Sequence, residues 1–322
     1  MTDLWRKVLR SWLVATLVAS VAASTFIAAV DPYDAEPIPG FGLGYTRAQA
    51  PRTAHASRAR DPAFDAAIIG NSHVQLLNPL RLGQATGARF VSLAVPGSGV
   101  PEQKALLDYF LRKHPEPPKA VVIGIDEYTC RAGPIKREQL QGGPFPFWLY
   151  ASDLLTYAKG AFRSAVFEDA VALALGVGGA NVLAGRDGYW NYESGRTWRA
   201  PEAAVAARTM SLADSPGPFR GIEILRDMLD AIPPLTPVIL VITPVYAPWR
   251  PPLETPAGLS EIACKDAIRA IAARINVRVL DFRRDIPLTR DPHSFWDGSH
   301  MTEAAALLIE AAISEAFQAM KK

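Results

Sequence analysis

The 322-residue chain has only two cysteines, Cys130 and Cys264, and only five histidines. The two cysteines are compatible with one bridge or with two buried thiols, because proximity cannot be read from spacing. No Cys or His cluster has the spacing of metal ligands, so no metal site is expected. The net charge is only +2 and no long basic block occurs, which gives no indication of a nucleic-acid partner. There is no internal repeat. No Gly-rich cradle opens the first strand-to-helix turn, which argues against a phosphate-binding module.

What is present is apolar. Hydrophobic residues make up 49% of the chain and charged residues 20%, enough for a sizeable core in one large or two small domains. One run stands apart. Arg6, Lys7 and Arg10 precede Ser11, and from Trp12 to Val30 no charge occurs until Asp31. That run of roughly 19 residues is close to the ~20 that cross a bilayer as a helix. Positive charge before it and Asp31, Asp34 and Glu36 after it orient the amino end to the cytoplasm. It reads as an uncleaved anchor or as a signal peptide cut near Ala22-Ala23-Ser24 or Ala28-Ala29, and its length favours the anchor. A buried helix of a soluble protein is the remaining reading. The first two place the rest of the chain outside the cytoplasm: a single-pass inner-membrane protein with a periplasmic domain, or a secreted one if cleaved. Such a location would permit a disulfide. Residues 31–62, rich in Pro, Gly, Ala and Arg, read as a linker with some local structure.

Beyond the linker, short apolar strands alternate with amphipathic helices. The periodicity predicts strands at Phe64–Gly70, Arg89–Val95, Lys119–Asp126, Thr236–Thr243 and Arg278–Phe282. Helices are expected at Asn78–Thr86, Pro101–Lys113, Phe219–Leu229, Leu259–Ile275 and Thr302–Met320. This alternation implies a parallel sheet with helices on both faces and a ligand site at the carboxyl ends of the strands. The domain spans 63–322, with a large insertion at about 131–220 where the alternation lapses. Trp148, Tyr189, Trp190, Tyr192 and Trp198 in the insertion either pack or stack on sugar rings.

Two stretches carry chemistry. Ala66-Ala67-Ile68-Ile69-Gly70-Asn71-Ser72-His73 reads as strand, tight turn and helix start, with Val74, Leu76 and Leu77 resuming the apolar pattern. Ser72 then sits at a sheet edge beside N–H groups that favour negative charge, as a candidate nucleophile. Near the end, Asp297 and His300 lie three apart in Trp296-Asp297-Gly298-Ser299-His300. There an imidazole can take a serine proton and a carboxylate can orient the imidazole. Alone, Asp297 and Ser299 could simply begin the last helix.

Together with Pro96-Gly97-Ser98-Gly99 after the second strand, the pattern resembles the SGNH/GDSL hydrolase superfamily. It is most similar to membrane-anchored periplasmic members associated with acyl groups on cell-surface polysaccharides. The resemblance covers about 64–128 and 237–320. It implies a flavodoxin-like three-layer αβα sandwich with a five-stranded parallel sheet. It also implies a Ser72 nucleophile, an Asp297–His300 acid and base, and an oxyanion hole from the N–H groups of Ser72 and Gly97. The implied activity is that of a serine esterase or O-acyltransferase on acylated, chiefly acetylated, glycan. No cofactor is implied; the partners are an acylated glycan or acyl donor, the inner membrane and polysaccharide-export machinery. The alternative is a non-catalytic glycan-binding or assembly protein that keeps the fold.

The chain departs from the family at one point. Many members carry an Asn oxyanion donor after the third strand, where this chain has Asp126. An ionised Asp cannot donate, and one lost oxyanion donor typically costs about 100- to 1000-fold in rate. The α/β-hydrolase elbow, Gly-x-Ser-x-Gly, is excluded by Val74 at its last position. Asn71, His73 and Asp126 are candidates for contacting substrate, although Asn71 reads more simply as a turn residue and His73 reads equally well as a polar residue at a helix start. His293 is a second candidate base, and His114 a solvated helix end.

Overall fold

The computed structural model describes residues 2–46, 48–130, 144–177, 184–201 and 217–321. Of the expected insertion, residues 131–143, 178–183 and 202–216 lie outside the described residues. The chain divides into two compact units, Met1–Ser57 with Pro146–Val182, and Arg58–Phe145 with Leu183–Lys322.

The second unit is an α/β domain on a five-stranded, all-parallel sheet. In chain order its strands are β1 (Ala66–Gly70), β2 (Phe90–Ala94), β3 (Ala120–Ile125), β4 (Val238–Ile242) and β5 (Val277–Asp281). They lie in the order β2-β1-β3-β4-β5, the flavodoxin-like order of doubly wound sheets. β1, β2, β3 and β4 are buried along their whole length, which is why they read as unbroken apolar runs rather than as alternation. β5, at one edge, is only partly buried and carries Arg278 and Asp281. The other edge strand, β2, is partnered beyond the sheet, because Ser92 N–H donates to the Asp187 carbonyl at 2.7 Å.

Helices cover both faces. In chain order the helices begin with α1 (Thr2–Val30), which belongs to the first unit and not to this sheet's cover, and α2 (Pro51–Arg60), so residues expected as linker with local structure hold a helix. In the second unit, α3 (Pro79–Thr86) starts on an Asn78 cap with Pro79 at its first turn and ends at Gly87. α4 (Val100–Lys113) follows β2. After α5 (Leu154–Ala161) and α6 (Ser164–Ala174) of the first unit come α7 (Arg220–Ala231), α8 (Pro256–Ile271), the one-turn α9 (Pro287–Arg290) and α10 (Glu303–Met320). α3 and α10 bury Leu82, Ile309, Ile313 and Phe317 against Ile68, Val122, Ile239 and Val241 of the sheet. An ion pair ties these two helices: Arg81 donates twice to Glu310, at 2.6 and 2.9 Å, and once to Glu303 at 2.9 Å. α4, α7 and α8 pack one against the next.

The first unit is helical in its described part. α1 is long and apolar enough to cross a membrane, and its apolar stretch is mostly exposed. Phe26 of α1 meets Phe167 of α6, and the Tyr33 hydroxyl donates to Asp169 at 2.6 Å. Trp148 lies between Tyr33 and Tyr157.

Two structural details bear on the site. Cys130 and Cys264 form a disulfide that joins the loop after β3 to α8. Val74 is wedged against two strand ends: a Cβ added to Gly70 would stand 2.4 Å from its Cγ2, and one added to Gly124 would stand 2.4 Å from its Cγ1. Those glycines are therefore fixed by close approach. Gly124→Ala is expected to destabilise the fold by about 1–3 kcal/mol, the usual cost of overpacking. Val74→Ala should restore part of that loss in the double variant. Urea denaturation of the four proteins checks this; additive losses would contradict the wedge.

Candidate active site

The site is built where three loops leave the carboxyl ends of β1, β2 and β3 and meet the loop that precedes α10. Ser72 opens a three-residue 3-10 turn, Ser72–Val74, rather than the longer helix start expected from sequence. The apolar residues after it belong to a buried connection, because Asn78-Pro79 sets the true helix start four residues on. No helix dipole therefore stands behind Ser72, and any help for negative charge must come from individual N–H groups.

The three residues expected to act together do meet. Ser72 Oγ lies 2.8 Å from His300 Nε2, and His300 Nδ1 lies 2.7 Å from Asp297 Oδ2. With Nδ1–H donating to Asp297, Nε2 keeps the lone pair that accepts the serine proton. The other oxygen, Asp297 Oδ1, accepts the backbone N–H groups of Ser299 and His300, each at 2.8 Å. The side chain thus makes a local turn and orients the imidazole at once. Partial burial disfavours its charge. The hydrogen bond and charge of His300 and the two N–H groups outweigh that and hold its pKa well below the usual carboxylate range. Thr302, not Asp297 or Ser299, caps α10 by accepting from Ala305 N–H.

The loop is shaped by its glycine. A Cβ on Gly298 would fall 1.6 Å from the Trp249 ring, and Tyr246 N–H donates to the Gly298 carbonyl at 2.8 Å. The segment after β4 therefore lies flat on the Asp297–His300 turn. From the other side comes the insertion. Glu193 accepts from Trp296 Nε1 and from Glu303 N–H, the latter at 2.7 Å, and Asn191 donates to Glu303 at 3.0 Å. Tyr192 sets its ring edge-on to His300 and donates its hydroxyl to the Met301 carbonyl at 2.6 Å. Trp198 stacks on His293 and donates to the Phe295 carbonyl. Tyr192 and Trp198 are thus committed to packing around the loop. Sequence reasoning found Tyr192 only as one of an aromatic group and Ser299 only as a possible helix start, and missed Trp249 and Glu193.

Gly97 lies in the turn after β2 with φ at +68°, and that turn is tied to the end of β1. The Gly70 carbonyl accepts from Val95 N–H at 3.0 Å and from the Ser98 hydroxyl at 3.3 Å. Asn71, His73 and Asp126 come together, but with one another. Asn71 Nδ2 donates to Asp126 Oδ2, and its Oδ1 accepts from His73 N–H at 3.0 Å. Asp126 also accepts from Tyr128 N–H at 2.8 Å. Asn71 and His73 are both buried, so neither is a free surface residue at a helix start. His73 Nε2 lies 3.0 Å from Ser299 Oγ, which reaches Asp297 at 3.4 Å. His73 Nδ1 stands 3.6 Å from Asp126 Oδ2, so a second histidine–carboxylate pair adjoins the first, with the two rings 4.8 Å apart. His114 is partly buried, its ring facing the Phe110 and Asp61 carbonyls.

Metal donors gather once among the described residues: one donor atom each from His73, Asp126 and Glu127 lies within 4.8 Å of the others. Arg283 stands 3.7 Å from Glu127 and already brings positive charge there. Comparison with known proteins adds nothing to this geometry: no protein-family model matches the chain, and no curated protein matches it.

Burial pushes the His73 pKa down, but Asp126 and Glu127 outweigh it and Arg283 together, so the net shift is upward. Such a group stabilises the fold fully below the unfolded histidine value of about 6.5 and loses that contribution as pH rises through the raised value. Wild-type stability is therefore expected to fall over that rise, and His73→Asn to lack that part of the fall. Denaturant titrations from about pH 5.5 to about pH 9 read the difference, and parallel curves would contradict it.

Proposed function

We propose that the chain is a serine esterase or O-acyltransferase of the SGNH type. In this reading it is anchored by α1 in the inner membrane, with its α/β unit in the periplasm. The observation that carries the proposal is the continuous series from the Ser72 hydroxyl through both nitrogens of His300 to the Asp297 carboxylate. It is supported by a flavodoxin-like sheet whose carboxyl edge holds that series. Arg6, Lys7 and Arg10 ahead of the apolar helix support the orientation. The substrate class, an acylated cell-surface polysaccharide, rests on the sequence resemblance alone.

Ser72 Oγ attacks the ester carbonyl as His300 Nε2 takes its proton. Asp297 keeps the imidazole in the required tautomer and balances the imidazolium that forms. The oxyanion turns toward the N–H groups of Ser72 and Gly97. Asp126 gives no third donation, since its carboxylate accepts from Asn71 and Tyr128. His300 returns the proton to the leaving alcohol, and an acyl-Ser72 remains. Water releases it as a carboxylic acid; a sugar hydroxyl carries it on as a new ester.

A fluorophosphonate probe tests the assignment. Wild type should label, Ser72→Ala should not, and His300→Ala should label slower by about 10⁶-fold, as for loss of a triad base. Labelling that persists in Ser72→Ala would overturn the nucleophile. Folded wild type that never labels would favour the glycan-binding reading.

A further inference from the structure

The first unit holds a cavity that the site chemistry does not use. Its volume is about 390 Å³, within the range of ligand pockets, about 300–1,000 Å³. It is lined by the carboxyl end of α1, from Ser24 to Ala29, and by Leu154 and Ala158 of α5 with Phe162 just past that helix. Ile38 and Phe41 close the end. Leu154, Phe162 and Phe41 on the rim are each more than half exposed. Small side chains, Ala28 and Ala158 among them, line the space beside these larger ones.

The lining argues for the chemistry of the occupant. It is almost wholly apolar, so a sugar or a charged ligand would lose its hydration there without replacement hydrogen bonds. Continuity argues for the source. The α1 wall is the end of the helix long and apolar enough to span a bilayer. If Val30 marks the outer boundary of the hydrocarbon, Ser24 lies about 9 Å below it at 1.5 Å per residue. The cavity then opens at the depth of lipid chains. The apolar surface goes on past it, with Leu155 and Leu175 exposed by 64% and 69%. Lys159 of α5 and Arg163, the extended residue between α5 and α6, adjoin the lining residues Ala158 and Phe162 in sequence, and both are exposed, as basic side chains at a lipid headgroup would be.

We propose that this cavity takes one hydrocarbon chain of a membrane phospholipid, with Lys159 and Arg163 at its phosphate. The proposal rests on the reading of α1 as a retained anchor, and it is independent of the esterase reading. The full chain, reconstituted in vesicles of phosphatidylethanolamine and phosphatidylglycerol, is irradiated with a phospholipid bearing a diazirine on one acyl chain. Adducts are then mapped by mass spectrometry. They are expected to concentrate on Leu154–Phe162 and Ser24–Ala29 over the exposed Leu13–Val18 stretch. Ala158→Phe, which fills the space, should cut the α5 adducts several-fold and leave those at Leu13–Val18 unchanged. The surface pair Lys159→Ala and Arg163→Ala, which does not touch packing, should also lower them. Even labelling along α1, with α5 yields unmoved by either variant, means bulk lipid contact only and overturns the cavity. An absence of adducts on α1 itself overturns the anchor reading first, and the cavity with it.

Discussion

A single hydrogen bond, 2.8 Å from the Ser72 hydroxyl to His300 Nε2, closes a gap of 228 residues. Two loops from distant parts of the chain must each be fixed for it to form. On the serine side the fixing is steric. Val74, two residues on, fits against Gly70 and Gly124 with no room for a methyl group on either, and this sets the turn on the sheet edge. On the histidine side it is mostly polar. Asp297 collects two N–H groups and the imidazole, while Arg81, Glu303 and Glu310 hold α10 to α3. A proton acceptor is useful to an alcohol only at this distance, so both sets of contacts serve the same pairing.

The neighbouring pair of His73 and Asp126 is wired into that arrangement. His73 faces Ser299, Ser299 reaches Asp297, and Asn71 and Asp126 hold one another. A residue that stands where a family donor would be expected is therefore engaged as an acceptor in a buried network. In the proposed reaction the oxyanion rests on backbone N–H groups of the turns after β1 and β2.

Much of this was legible in the sequence, for physical reasons that differ by element. The four buried strands read clearly because a strand covered on both faces must be apolar throughout, whereas β5, at the sheet edge, admits Arg278 and Asp281. Ser72, Asp297 and His300 were legible because short loops at strand ends carry their chemistry in local spacing. The expected helix start at Ser72 gave way to one 3-10 turn because the Asn78-Pro79 cap begins the helix later. Glu193, Tyr192 and Trp249 were not legible in these roles. Their partners lie far along the chain, and no period or motif marks a residue that braces a loop from an insertion. The pairing of Cys130 with Cys264, 134 residues apart, is of the same kind.

The central claim is that Ser72 becomes acylated. Brief incubation of the folded chain with an activated acetyl ester, followed by acid quench and peptide mass analysis, tests it most directly. The account predicts one acetyl group on the Ser72 peptide, absent when His300 is replaced by alanine. Acetyl groups found only on lysines, or equal modification of both proteins, would contradict it.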